Sequence, residues 1–389
     1  MKLKKYIASM LARNCISKQI LSALIAAKCI VFGVVNYVRY RKRMKSVKYV
    51  HLMYNEKFNK PFVDFLNKYF DSEEHFIICR NFCDKLVPTG SNVALVKTYW
   101  GFNLRLPNIK WIYAHSLFDG QVLEYLYYHR QILSKTCWIV WGGSDPFFQR
   151  RDKYVMKVCP YFGMYSVGTD TRNLKGLYAP QGVFVNPGGY QFPISKETMD
   201  KLLSKPRNDT DGKPVVIQIN HSRDESTLEM LQLLARFKDE NLIVRTVLSY
   251  SPSNQMKYKE EIIACGERLF GKKFIPVLDF MDAEHYAASL FENDILVMNQ
   301  PRSQGLGNIV ASLYLGTKVF IRSDVSSYRA LRDEGAIIHD TLSIKDISWD
   351  EFVRHPQQEI DQNRKCAYNR VDDGVMVEKY VETYGWKRR

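Results

Sequence analysis

Arg302-Ser303-Gln304-Gly305-Leu306-Gly307-Asn308 is the stretch whose reading decides the fold. The apolar run 294–298 precedes it and reads as a buried strand. Residues 309–315 read as a short helix stopped by Gly316, and the apolar run 318–321 follows as a second strand. Strand, glycine-containing turn, helix and strand make a βαβ unit. Gly305 and Gly307 would let a ligand approach the backbone closely. The helix N-terminus offers free N–H groups and a partial positive charge to an anion. Arg302 adds a fork-shaped donor suited to phosphate oxygens. The motif predicts a site for the diphosphate of a nucleotide-sugar, with Gln304 and Asn308 beside it. The plainer alternative is a tight turn whose glycines serve packing.

Outward from this unit, strands and helices alternate along the chain. Runs 48–53, 76–79, 111–114, 137–141, 165–168 and 183–185 read as strands, with helices over 58–70 and 121–133. Residues 195–213 are polar and rich in turn formers, which predicts an interdomain linker. A second series then begins: strands 215–219, 242–248, 275–278, 295–298, 318–321 and 336–339, with helices 227–236, 255–269, 286–291 and 328–332 between them. Alternation of this kind implies a mostly parallel sheet covered on both faces. The expected division is a membrane-associating segment (1–45), a first αβ domain (46–194), the linker, a second αβ domain (214–345) and a helical tail (346–389). Ligands are expected at the carboxyl ends of the strands.

The net charge of +15 over 389 residues is unevenly placed. Residues 1–48 hold twelve Lys or Arg and no Asp or Glu, which leaves +3 for the rest. That argues against a nucleic-acid groove on the body and for attraction to an anionic membrane face. Residues 20–38 are mostly apolar, but Lys28 near their middle is costly in a lone span. On a helix, Lys18, Ser22, Cys29, Gly33 and Asn36 share one narrow face, and Ile20, Leu24, Val31, Val34, Val35 and Val38 lie opposite. A helix lying in the membrane interface is expected, ahead of a signal-anchor span or an intraprotein helix. No small-residue cleavage site follows the apolar run, so a cleaved signal peptide is not expected. The eight cysteines are scattered without a CxxC pair, which fits a reducing cytosol and neither a zinc site nor a disulfide framework.

Other loops at strand ends carry candidate chemistry. The loop 220–226 (Asn-His-Ser-Arg-Asp-Glu-Ser) places Ser222, Asp224 and Ser226 ahead of a helix, as capping groups or as donors to phosphate or sugar. Tyr250 follows the next strand and could stack on a base. In the first domain His115 and Asp145 both follow strands, and either could take a proton from an acceptor hydroxyl. The sequence holds no HExxH, GxSxG or P-loop lysine motif, and no Asp-x-Asp stands after a strand. No metal and no cofactor are expected. An NAD-dependent oxidoreductase is disfavoured because no GxGxxG follows an early strand.

Taken together these motifs resemble those of the TDP-N-acetylfucosamine:lipid II N-acetylfucosaminyltransferase family, also called the 4-alpha-L-fucosyltransferase family. Arg302-Ser-Gln-Gly-Leu-Gly307 resembles the family's Arg-Gln-Gln-Gly-Ile-Gly, and His221-Ser-Arg-Asp-Glu-Ser226 its Asn-Ser-Gly-Asp-x-Ser. Tyr250, Tyr258, Tyr286, Asp294 and Gly316 stand where the family has the same residue, and His115 follows a strand as the family's His does. Trp141-Gly-Gly-Ser-Asp145 is similar to its Trp-Gly-Ala-Asp, with one residue inserted. The resemblance spans residues 47–340. It implies an α/β fold of the GT-B type, with two Rossmann-like domains facing a central cleft, preceded here by an N-terminal membrane-associated helix.

The implied activity is transfer of an amino- or deoxy-sugar from a TDP- or other nucleotide-sugar to a polyprenyl-diphosphate-linked saccharide, on the cytoplasmic face of the bacterial inner membrane. Arg302, Gln304, Gly305, Gly307, Asn308, Ser222, Asp224, Ser226 and Tyr250 would bind the donor, and Asp145 or His115 would act as base. The rivals are a glycosyltransferase with a non-lipid acceptor and a non-catalytic nucleotide-sugar- or polysaccharide-binding scaffold at the membrane.

Overall fold

The structure, a computed structural model, describes residues 15–54, 56–80, 87–141, 154–169, 171–188, 190–205, 212–220, 226–249 and 256–389. A long helix, α1 (Cys15–Met44), leads into β1 (Tyr49–Tyr54), α2 (Asn59–Tyr69), β2 (His75–Arg80), β3 (Val93–Val96), β4 (Trp111–His115), α3 (Gly120–Tyr128) and β5 (Thr136–Val140). Then come α4 (Val155–Val158), β6 (Met164–Val167), α5 (Thr171–Tyr178) and β7 (Val183–Val185). All neighbouring strands pair in parallel, in the order β3-β2-β1-β4-β5-β6-β7.

The second sheet contains β8 (Val215–Asn220), β9 (Leu242–Val247), β10 (Phe274–Val277), β11 (Ile295–Met298), β12 (Lys318–Ile321) and β13 (His339–Asp340), ordered β10-β9-β8-β11-β12-β13 and also parallel. Its helices are α6 (Lys196–Leu203), α7 (Ser226–Leu234), α8 (Met256–Phe270), α9 (Ala283–Phe291), α10 (Leu306–Leu315) and α11 (Ser326–Asp333). The tail forms α12 (Trp349–Val353), α13 (Gln357–Val371) and α14 (Asp373–Tyr384). In both sheets the strand order reverses beside the first strand, between β1 and β4 and between β8 and β11. That is the doubly wound arrangement, and such reversals open crevices at the carboxyl ends of the strands.

The strands are mostly apolar because both faces are covered: every residue of β2, β5 and β11 is buried. One face of the first sheet packs Val50, Leu52, Phe76 and Ile78 under α3 and the end of α1. The other packs Tyr49, Met53, Ile77 and Tyr113 under α2 and the tail, through Tyr380, Tyr384 and Trp386. Trp386 Nε1 donates to Tyr113 Oη at 2.8 Å, and the Tyr384 and Ser166 hydroxyls lie 2.7 Å apart. So α13 packs on α10 in the second domain, while α14 returns to close the first.

Four expectations change. The stretch 195–213 is not simply a linker. Ser195 caps α6, its hydroxyl accepting from Thr198 N at 3.2 Å, and Met199 and Leu202 enter the second domain's core. The polar residues are the helix's outer face, and the chain crosses between cores upstream, from Tyr190 to Phe192. The strand expected over 336–339 shrinks to His339–Asp340, because only these residues pair with β12. Edge strand β3 was not foreseen.

The fourth change concerns α1. Its small and polar face docks inward. Asn36 is buried and donates to the carbonyls of Thr98 (3.0 Å) and Trp100 (2.9 Å), while Tyr40 packs on Phe76 and Phe102. Ile30, Val31, Val34, Val35, Tyr37 and Val38 are 51–67% exposed. Among the described residues no helix is long and apolar enough to cross a membrane.

Replacing Trp386 by Ala empties a site that is 1% exposed and leaves the Tyr113 hydroxyl without its donor. Urea unfolding is expected to show a loss of about 3–5 kcal/mol. A loss below about 1 kcal/mol contradicts the tail's role in closing the first domain.

Candidate functional site

The opening motif lies where the second sheet's order reverses. β8 ends at Asn220 and β11 at Met298, and residues 299–305 rise between them into α10. Gly305 adopts a left-handed conformation (φ 66°, ψ 30°), and a Cβ there would meet Met298 Cε at 2.7 Å. Gly305 O accepts the first helical bond, from Ile309 N at 3.1 Å. The amides of Leu306, Gly307 and Asn308 are therefore the unpaired N-terminal donors of α10. Gly307 also has a packing reason. A Cβ there would meet the Phe192 ring at 2.8 Å, so its bareness accommodates the crossing segment.

Amide side chains hold this loop in shape. Gln300 Nε2 donates to Asn220 O at 2.7 Å, and Asn308 Nδ2 to Asn220 Oδ1 at 3.3 Å. The Ser303 and Ser326 hydroxyls lie 2.6 Å apart, and Ser303 Oγ accepts from Ser327 N at 2.8 Å, which ties the loop to the start of α11. Asn299 Nδ2 reaches Ser226 O at 3.4 Å, placing the buried first residue of α7 beside the motif. Arg302 Nη2 donates to Gln304 Oε1 at 3.0 Å. Its Nε is buried and has no partner among the described residues. A buried guanidinium N–H without an acceptor is costly, and an incoming anion would relieve it.

The structure thus brings Arg302, Gln304, Gly305, Gly307, Asn308 and Ser226 together. Ser222, Asp224, Tyr250 and Asp145 lie outside the described residues. Asn220, Asn299, Gln300 and Ser303 were missed as supports, although the run of amide and hydroxyl residues after β11 was a visible signal.

The first sheet's reversal lies between β1 and β4, and β4 ends at His115. The next residue, Ser116, has φ 63°, a strained left-handed conformation for a residue with a side chain. Nearby, buried Arg80 forks onto Asp119, with Nη2 2.7 Å from Oδ1, and Asp119 caps α3.

His115 itself is 1% exposed with both ring nitrogens engaged: Nε2 is 2.8 Å from His51 Nδ1, and Nδ1 is 2.9 Å from the Tyr190 hydroxyl. Burial drives its pKa down to about 3. His75, 3.0 Å from His51, falls to about 3 mainly for the same reason. His51 is lowered well below the ordinary range, by burial first and then by its two imidazole neighbours. An imidazole so acidic when protonated is a poor general base near neutrality. The placement of His115 suits a neutral hydrogen-bonding role better than the base role expected of it.

No family model matches the chain, and no curated protein matches it. Solved structures do. An α,α-trehalose 6-phosphate synthase from Burkholderia multivorans superposes with a TM-score of 0.60 at 12% identity, over 86% of this chain and 96% of that one. A UDP-forming α,α-trehalose-phosphate synthase from Burkholderia xenovorans gives 0.62 at 9%, over 86% and 98%. Sucrose-phosphate synthase from Thermosynechococcus elongatus gives 0.59 at 9%, over 87% and 98%. Likeness at this identity establishes the fold, two Rossmann-like domains on parallel sheets.

The buried imidazoles make stability depend on pH. In the unfolded chain histidines titrate near 6.5, whereas His75 and His115 reach about 3 when folded. Between those values the unfolded chain holds more protons. Stability is therefore complete above about pH 6.5 and falls on acidification, by up to about 1.4 kcal/mol per pH unit for each group. Urea midpoints measured from pH 7 to 4.5 are expected to decline, with a shallower slope in a His75→Phe variant. An identical slope in the variant contradicts a neutral His75.

Proposed function

We propose that the protein is a glycosyltransferase using a nucleoside-diphosphate sugar. The observation that carries this is the buried, unpartnered Nε of Arg302 beside left-handed Gly305 at the start of α10. A guanidinium and a helix N-terminus converging at a sheet's reversal suit a diphosphate. As the sugar leaves, negative charge grows on that diphosphate, and preformed donors stabilise it without a metal ion. The shared fold supports this reading, since the proteins it resembles are named as sugar-phosphate synthases, one of them UDP-forming.

The finer reading rests on the resemblance drawn from sequence: an N-acetylfucosamine-like amino- or deoxy-sugar, carried on TDP or another nucleotide, with Asp145 as base. The acceptor in this reading is a polyprenyl-diphosphate-linked saccharide at the cytoplasmic face of the bacterial inner membrane. The outward apolar face of α1 supports a membrane site. Exposed Arg39, Arg41, Lys42 and Lys45 follow it, as anionic headgroups would favour. A second reading, a soluble sugar-phosphate acceptor, is favoured by one observation: a Burkholderia xenovorans structure of the same fold was determined in complex with glucose-6-phosphate.

Arg302→Ala is expected to reduce sugar transfer about 100-fold or more, measured as nucleoside diphosphate released from a panel of UDP- and TDP-sugars with lipid-linked acceptor. Near-normal turnover would remove Arg302 from the mechanism. A Val34→Asp, Val35→Asp double variant is expected to stop sedimenting with phosphatidylglycerol vesicles. Undiminished sedimentation would sink the membrane-facing role of α1.

A further inference from the structure

Three histidines cross the first sheet in single file toward its carboxyl edge. Strand register places His75 level with Tyr49, His51 two residues further on, and His115 level with Met53. His75 Nδ1 meets His51 Nε2, His51 Nδ1 meets His115 Nε2, and His115 Nδ1 meets the Tyr190 hydroxyl, at 3.0, 2.8 and 2.9 Å. All three imidazoles are buried. The only nitrogen in the file without a partner is His75 Nε2, at its blind end.

Neutral imidazoles carry one N–H each, so the file has a direction. If Tyr190 donated inward, each histidine would pass its Nε2–H along and His75 would end on a buried N–H with no acceptor. If the file runs outward, every Nδ1 carries the proton, His75 ends on a bare lone pair, His115 donates to Tyr190, and the donor left over is the hydroxyl of half-buried Tyr190. Orphaned buried N–H groups are rarer and costlier than unused lone pairs. The outward direction is therefore favoured, because it moves the spare donor from the fully buried His75 to the half-buried Tyr190.

The far end of the file adjoins the donor loop. The Tyr190 ring stacks on Phe62 at 5.0 Å between centroids and belongs to the first domain's core. Two residues later Phe192 packs with the second domain's core and fills the space over Gly307. We propose that the file is a latch. His75, His51 and His115 fix Tyr190 as a positioning residue, and the 190–192 crossing transmits that position to the diphosphate loop. This rests on the donor-site reading above; Tyr190 acts on the loop through Phe192 and not on the reacting atoms.

Two measurements on the full-length chain test the proposal. In protein labelled with 15N-histidine, three imidazoles are expected to show a protonated Nδ1 and a bare Nε2, unchanged from pH 8 to 5. A protonated Nε2 on His115 overturns the outward direction. The second measurement is calorimetric titration with UDP and TDP. Tyr190→Phe keeps the ring and loses the hydroxyl, and is expected to weaken whichever nucleotide binds by roughly fivefold or more. His115→Asn, which can still present an N–H near the Nδ1 position, is expected to retain more affinity than His115→Leu. Equal affinity in Tyr190→Phe and the unaltered protein overturns the coupling. An unaltered protein that binds neither nucleotide overturns the donor reading and the coupling with it, and the labelling result still decides the file's direction.

Discussion

Burying both faces of a seven-stranded parallel sheet is the constraint on which the rest of this structure depends. Parallel strands are stable only when covered on each side. The first domain's own helices cover one face and, through α2, part of the other. The remainder is closed by the chain's last seventeen residues, 373–389, whose Tyr380, Tyr384 and Trp386 lie against Phe70, His75 and Tyr113. The backbone seals the joint, with Asp71 N donating to Lys387 O and Arg389 N to Tyr69 O. The chain must therefore pass between the domains twice, at 190–192 and again between α13 and α14.

That double passage shapes the candidate site. Each sheet opens a crevice where its strand order reverses, and the outgoing passage runs from the His115 end of one to the Gly307 edge of the other. Polar groups buried along this route are few and mostly paired. His51, His75 and His115 pair with one another and with Tyr190, leaving only His75 Nε2 over, and burial lowers their basicity. Arg302 also keeps one buried nitrogen unpaired, and it does so beside the free end of a helix. A positive charge and free helix amides at one place are what the proposed diphosphate would use.

Much of this was legible in the sequence, for physical reasons. Continuous apolar runs such as 295–298 and 137–141 betrayed buried strands, and their alternation with helical periods betrayed the parallel sheets. Gly305 and Gly316 punctuated α10 because both need positive φ. Where reading failed, tertiary context had overridden local pattern. The polar stretch 195–203 looked like a linker because only Met199, Leu202 and Leu203 face a core. The role of α1 was half legible. Its two faces were separable, but that the polar one docks inward depends on Thr98 and Trp100, sixty residues away. The His51–His75–His115 file could not be read at all, since it exists only once register aligns three strands.

The central claim is that the start of α10 and Arg302 hold a diphosphate. The most direct measurement is a crystal structure of the protein with UDP or TDP bound. The account predicts phosphate oxygens on the amides of Leu306 and Gly307 and on the Arg302 guanidinium, with Nε no longer unpaired. A nucleotide bound elsewhere, with Arg302 still turned to Gln304 alone, would contradict it.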